Sequence, residues 1–365
     1  MTTQVYWRDF SGVLQAIIPN YTRLEYARGV NNIGWLTMEL DPAKFDTSLL
    51  RLNSRLEPWR QVGARTPYLD GETVFFLKKW GYKIGSSGEE VIHLKALDAL
   101  HLVDNPIVAY AAGSAESDQT DYADDMMKEI ISHNLGADAT DTARSLATWM
   151  SVQAQLAAAP STTKAFSRRN VLAILQELAQ ESYQAGTYLA FDVVYTSPTA
   201  LEFRTYTGQR GVDHGRDSGA AVVVSRERKN LEQPAMWEDH ENERNYIYCG
   251  GQGTEAARAI ATAYTADAVG LNRRELFVDA RQTSSSDGLD AEANAALFQH
   301  RYRRTLTGSI VDTPGCQYGV HYNYGDVVYA EYRGAGYDAH VDAVSVVVER
   351  GAETVTVNIS GEATT

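Results

Sequence analysis

Cysteine is almost missing from this sequence: Cys249 and Cys316 are the only two in 365 residues. Two thiols cannot build a disulfide framework, and these lack the C-x-x-C spacing of a zinc or redox site. Both are expected to be plain buried or half-buried thiols. No run approaches the roughly 18 consecutive apolar residues of a membrane-spanning helix. The start, Met1-Thr2-Thr3-Gln4, lacks the basic segment and apolar stretch of a secretory leader. Positive charge is in deficit, with 33 Lys and Arg against 47 Asp and Glu and a net charge of −14. That balance argues against a general nucleic-acid binder, which needs a basic face. It leaves open a protein whose acidic surface must let DNA pass without sticking. Neither a G-x-S-x-G nucleophile elbow nor a G-x-x-x-x-G-K-[ST] phosphate loop occurs.

What is present reads as strands at both ends and helices between them. In Gly34 to Leu40, Leu36, Met38 and Leu40 alternate with Trp35, Thr37 and Glu39, the period of a half-buried strand. Residues 73–84 and 89–97 flank the turn Gly85-Ser86-Ser87-Gly88 and predict a hairpin. Short strands joined by turns suggest a small barrel or a sandwich for residues 1–105. From Asp118 to Leu135 the i, i+4 spacing of Tyr122, Met126 and Ile130 predicts a helix with acidic first turns. Residues 140–163 are polar and Ala-rich, expected as helix fragments and a loop. A further helix is predicted from Arg169 to Gln184, stopped by Gly186. A hairpin around Ser197-Pro198-Thr199 completes an α+β unit over 106–215. Strands and a helix at Leu289 to Leu306, with His300, Arg301, Arg303 and Arg304 at its end, fill 216–310. A β-meander occupies 311–365, where Val355, Val357 and Ile359 alternate with Thr354, Thr356 and Asn358.

The stretch NYIYCGGQGTEAARAIATAY (Asn245 to Tyr264) contains Gly251-x-Gly253-x-x-Ala256 after an apolar run. In a dinucleotide-binding protein such a turn opens a helix whose N-terminus faces a pyrophosphate, and Glu275 or Asp279 would then meet a ribose. Only one helix and a meander follow Asp279, too little for a doubly wound domain. The acidic run Glu238, Asp239, His240, Glu241 and Glu243 offers metal-binding and acid–base groups. Nearly consecutive residues point in different directions, so a solvated charged segment is the plainer reading. The cluster His300 to Arg304 is read as a complement to its helix dipole rather than a phosphate site. Twenty-one tyrosines and six tryptophans suit protein–protein contacts, although tyrosine is also good strand material.

The glycine stretch, followed by RRELFVDARQ (Arg273 to Gln282), resembles the tail-hub proteins of long-tailed bacteriophages. In that family a strand enters a Gly-Gly-Gln-Gly turn with an arginine close behind, and a later strand ends in Asp-Ala-Arg. Here those positions are Gly250, Gly251, Gly253, Arg258, Asp279 and Arg281. LEPWRQ (Leu56 to Gln61), Lys164 to Val194, and the Gly325-Asp326 turn resemble further pieces in the same order. The resemblance implies β-barrel-like domains at both ends of the chain with an inserted helix-containing α+β domain. It implies a virion structural protein without catalytic residues, cofactor or metal. The expected assembly is a homotrimer closing the tail tube at the tip or baseplate. Its expected partners are a hexameric distal-tail or tube protein, a central fibre or spike and the tape measure protein, with DNA passing through. Three chains would carry 3 × (−14) = −42. The fibre or cell-wall-degrading extensions frequent in such proteins do not follow the meander, so those tasks are expected of partner chains. The hub of a contractile injection machine, a nucleotide-dependent enzyme on the Gly251-x-Gly253 turn, and a carbohydrate-binding or carbohydrate-cleaving module using the tryptophans and the Glu238–Glu243 carboxylates remain as alternatives.

Overall fold

The computed structural model describes residues 2–84, 88–109, 117–139, 141–166, 168–254, 257–281 and 285–362. The chain is β-rich, and its dominant feature joins its two ends. Eleven strands follow one hydrogen-bonded path, in the order 231–239, 303–310, 352–362, 335–349, 23–29, 32–40, 90–98, 75–84, 55–61, 2–8 and 14–18. The seam between the ends is the antiparallel pairing of 335–349 with 23–29, where Val346 faces Tyr26. Strand 327–332 pairs with 335–349 and carries the short strands 213–214 and 223–225 on its other side, and strand 68–69 pairs with 55–61, giving fifteen strands in all. The path is open, since its terminal strands 14–18 and 231–239 do not pair with each other.

Period-2 alternation sets which face is buried. Leu36, Met38 and Leu40 turn inward while Trp35, Thr37 and Glu39 stay half-exposed. Val344, Val346 and Val348 do the same across the seam, so one core holds Val5, Trp7 and Leu24 together with Val357 and Ile359. Each such side chain contributes about 1.5–3 kcal/mol on burial. The hairpin of strands Phe75–Ile84 and Glu90–Asp98 forms as expected; its turn at 85–87 lies outside the described residues. Both cysteines are buried, free thiols.

A second core lies under helices α1 (Ala123–Leu135) and α2 (Val171–Gln184), which pack with the hairpin Leu189–Ser197 and Ala200–Thr207. Helix α2 follows its sequence signals closely: the Asn170 side chain accepts from the Ala173 N–H, and Gly186 ends it at φ +89°. Helix α1 starts later than the sequence predicts. Residues 117–122 are a strand paired with 161–166, and the acidic residues do more than complement a dipole. Asp125 accepts from the N–H groups of Leu156 and Ala157, Asp124 from those of Ala158 and Ala159, and Lys128 bridges both carboxylates. The segment expected as helix fragments and a loop holds the 3-10 helix Thr142–Arg144 and an irregular stretch, and it also contributes strands Met150–Val152 and Ser161–Phe166.

A third, smaller core lies between helix α3 (Ser286–Gln299) and a three-stranded sheet of 246–250, 260–264 and 275–279. Helix α3 ends seven residues before the Leu306 predicted as its end. Arg303 and Arg304 belong to strand 303–310, pulled into the large sheet by pairing with 231–239 on one side and 352–362 on the other. Their charges meet carboxylates, Arg303 at Glu362 and Arg304 at Glu238, while Arg301 binds Glu362 and also serves the helix end, donating to the Phe298 carbonyl at 2.8 Å.

Candidate functional site

The glycine motif builds a hairpin, which removes the nucleotide reading. After Gly250-Gly251-Gln252-Gly253 the chain returns as strand 260–264, antiparallel to 246–250, where a dinucleotide turn would open a helix. Arg258 occupies the space inside the turn. Its guanidinium donates to the carbonyls of Gly250 at 2.8 Å and Gly251 at 3.0 Å and pairs with Asp279. Asp279 is therefore committed to Arg258 and, at 3.1 Å, to Arg281, and Glu275 to Arg273.

The glycines are required by this packing. A Cβ on Gly250 would lie 2.6 Å from both Arg258 Nε and the Phe277 ring, and one on Gly253, at φ +102°, 2.5 Å from the Ala257 carbonyl. Gly253→Val is expected to destabilise the three-stranded unit by about 1–3 kcal/mol through backbone strain and overpacking. Hydrogen exchange reads this as lost protection in 246–250, 260–264 and 275–279 with the large sheet unchanged; unaltered protection there contradicts the assignment.

The device presents an unusual surface. One face of the three-stranded sheet, with Ile247, Cys249 and Ala263, is covered by α3. On a one-sided sheet the opposite face is ordinarily polar. Here register places Tyr246, Tyr248, Ile260, Tyr264 and Phe277 on it. Tyr246 stacks on Tyr264 with ring centroids 5.1 Å apart, Arg273 lies 3.6 Å from the Tyr246 ring centre, and Arg258 covers Phe277. Leu271 and Val269 project from the loop at one end. Among the described residues this is a concentrated exposed aromatic face, with the composition of a protein-binding surface.

Gly325 and Asp326 lie elsewhere, against a buried ion network that sequence reasoning missed. The Asp326 carboxylate accepts from the N–H groups of Val212 and Asn323 at 2.7 and 2.6 Å. Gly325, at φ +84°, leaves room for the Arg210 side chain. Arg210 and Arg28 converge on Asp192: Arg28 binds both carboxylate oxygens at 2.8 and 2.9 Å, and Arg210 approaches to 2.7 Å. Both guanidiniums lie over the Tyr324 ring, 4.8 and 4.5 Å from its centre. Burial alone would raise the Asp192 carboxyl, but the two arginines hold it below the ordinary carboxylate range. Asp98, 3.4 Å from Arg28, is pushed up by burial to about 6. A second network links strand 55–61 to strand 352–362. Fully buried Arg60 binds Glu353 at 2.6 Å and the Tyr68 hydroxyl at 2.9 Å, while Tyr26 and Tyr318 both donate to Asp70. The signal for Arg28 and Asp98 was available: both continue the buried phase of their strands, after Leu24 and Tyr26 and after Leu94 and Ala96.

Two buried histidines give a pH dependence with a definite sign. Burial lowers His101 and His340 to about 4. Stability held at neutral pH is therefore lost as pH falls from the ordinary histidine value of about 6.5 towards 4. Asp98 and Asp342, raised to about 6 by burial, act oppositely: their contribution is full below the ordinary carboxylate value and disappears as pH rises through 6. His101→Gln is expected to flatten the loss of urea stability between pH 6.5 and 4; an unchanged slope assigns that loss to other groups.

Two carboxylates of the acidic run 238–243 are taken up by basic groups. Glu238 meets Arg304, and Glu243 meets both His240 at 2.7 Å and Arg274. Among the described residues, no three His, Cys, Asp or Glu side chains are arranged to hold a metal ion.

Comparison with known proteins places these features in context. The comparison with curated protein sequences gave no match. Solved structures of similar fold include prophage tail protein gp18 from Listeria monocytogenes EGD-e, with 11% identity over 98% of this chain and 94% of that one, and a TM-score of 0.53. The 43 kDa tail protein of prophage MuSo2 from Shewanella oneidensis has 8% identity over 98% and 97%, with a TM-score of 0.56. The tail protein from Neisseria meningitidis MC58 has 11% identity over 99% and 97%, with a TM-score of 0.54. The family model for the Siphovirus ReqiPepy6 Gp37-like protein matches residues 3–360. The fold is thus shared with prophage tail proteins, and the chain belongs to the Siphovirus ReqiPepy6 Gp37-like family.

Proposed function

We propose that the chain is the tail hub, a homotrimer that closes the tail tube at the tip or baseplate and adapts a sixfold tube or distal-tail ring to a threefold fibre or spike. The observation that carries this reading is a family match running from residue 3 to residue 360, through both ends of the large sheet and the inserted helices. In this reading the two ends of the chain are the barrel-like domains, 1–105 and 311–365 with 216–310 completing the second. Residues 106–215 are the inserted domain. The continuous sheet and the buried Arg60–Glu353 link make the ends one rigid body, as an adaptor under ejection load requires. The aromatic face on the Gly250–Gly253 hairpin is the contact for a neighbouring tail protein, the distal-tail ring or the fibre. The tape measure protein meets the hub from within the tube. A net charge of −14 per chain keeps DNA moving past without binding.

Native mass of the purified chain tests the assembly. Three copies, 3 × 40.3 = 120.9 kDa, support the hub. A stable hexamer would make the chain a tube or distal-tail ring protein instead.

A further inference from the structure

Two clefts beside strand 327–332 share no residue with the aromatic face or with the two buried ion networks. They measure about 690 and 340 Å³ and have Tyr329, Gly334 and Gly336 in common, so they form one groove. The larger falls within the range of small-molecule sites, roughly 300–1,000 Å³. Its walls come from the end of α2, the end of α3 and the strands 327–332 and 335–349. The charges in this groove behave unlike those elsewhere in the chain. Arg28, Arg60, Arg210, Arg258 and Arg273 are all taken up by carboxylates. In the groove, Arg216, Arg228 and Arg333 form no ion pair with any carboxylate among the described residues. Asp217, Glu227 and Glu331 likewise form none with any base there. All six are exposed. Glu362 and Arg301, also in the wall, are bound to each other at 2.6 Å. The turns carrying these groups have fixed shapes. The Asn230 side chain accepts from the Ser225 N–H at 2.8 Å and donates to the Val223 carbonyl at 3.0 Å, closing the turn 226–229. Arg333 and Gly334 hold the other turn at φ +53° and +78°. Between them Tyr329 lies under Arg216, 6.0 Å from its guanidinium, and a Cβ on Gly336 would collide with the Tyr329 hydroxyl.

We propose that this groove binds a neutral saccharide. The balance of free groups selects that class. An anion would meet as many free carboxylates as guanidiniums. An apolar ligand would strip water from charges that it cannot satisfy. A sugar hydroxyl both donates and accepts, so one ring satisfies carboxylates and guanidiniums together, through the stronger hydrogen bonds that charged partners make. The tyrosine rings Tyr329, Tyr332 and Tyr337 offer flat apolar surface to the C–H faces of the sugar. Gly334 and Gly336 leave room for the ligand beside the backbone. The proposal needs neither the trimer nor the hub reading, and its failure leaves both standing.

The test is calorimetric titration of the full chain with neutral oligosaccharides of glucose, galactose, mannose and N-acetylglucosamine at millimolar concentration. Polygalacturonate and polyglycerol phosphate serve as anionic comparators. At least one neutral oligosaccharide is expected to bind. Arg216→Ala and Glu331→Gln are each expected to weaken it about tenfold, the loss of one hydrogen bond to a charged group. Both side chains are exposed, so the thermal midpoint is expected to stay unchanged. Arg226→Ala, on the same turn as Arg228 but outside the groove wall, is expected to bind as wild type does. Absence of binding by every neutral oligosaccharide overturns the proposal. So does binding that all three variants leave unchanged, because the sugar then sits elsewhere. Binding of the anionic polymers alone, weakened by Arg216→Ala and not by Glu331→Gln, overturns it in favour of an anion site.

Discussion

Asp192→Ala is expected to destabilise the fold by about 3–5 kcal/mol, read as a lower urea midpoint at unchanged slope. The reason is what the carboxylate leaves behind. Arg28 and Arg210 are almost fully buried, with side chains 4% exposed, and Asp192 is the anion both of them contact. Their remaining partners do not replace it: Asp98 is 3.4 Å from Arg28, and Glu72 3.4 Å from Arg210 is exposed. Removal of one member of a buried ion group costs more than the group contributes, because an uncompensated charge stays in a low dielectric. Asp192→Asn keeps an acceptor and is expected to fall between wild type and alanine. A loss below about 1 kcal/mol for Asp192→Ala would show that water reaches the arginines and that the network is not sealed.

Glu353→Ala is expected to cost about 3 kcal/mol by the same argument, with a different structural consequence. Arg60 donates to Glu353 through both Nε and Nη2, which ties strand 55–61 to strand 352–362 across 293 residues of chain. Tyr68 and the Tyr318 carbonyl continue to hold Arg60, so the loss should be smaller than at Asp192. Hydrogen exchange distinguishes the two variants. Glu353→Ala should raise exchange at the C-terminal strands and 55–61, whereas Asp192→Ala should raise it at the inserted hairpin 189–207 and at 23–29. Identical patterns would contradict two separate networks.

Local patterns told the truth where local physics decides the structure. The alternation at 36–40 and at 355–359 placed strands correctly, because a one-residue slip would expose every buried side chain. Helix α2 was legible from its periodicity and its glycine stop. The errors arose where distant pairing overrides propensity. The basic run after α3 has the charge of a helix end, yet its backbone is claimed by two strands, one of them more than fifty residues away. Ala257 to Ala263 has the composition of a helix, yet it pairs back on 246–250 because Arg258 and the glycines close a hairpin there. The motif Gly250, Gly251, Gly253, Arg258, Asp279 and Arg281 was legible as one unit and does converge in space. That it supports an aromatic face was not, since the face requires the register of three strands. The ion network around Asp192 draws on residues from 28 to 324, a convergence that no window of sequence contains.

These observations describe a protein whose polar investment is internal and mechanical. Charges tie strand 55–61 to strand 352–362 and hold the hairpin 189–207 to strand 23–29, and Glu238 and Glu243 of the acidic run are paired to arginines. The direct test is averaged cryo-electron microscopy of intact tails, with the chain located by a small tag on its C-terminus. Three copies forming one ring at the point where the tube's sixfold symmetry ends is the predicted result. Copies repeated along the tube, or six copies at the tip, would contradict the assignment as the hub.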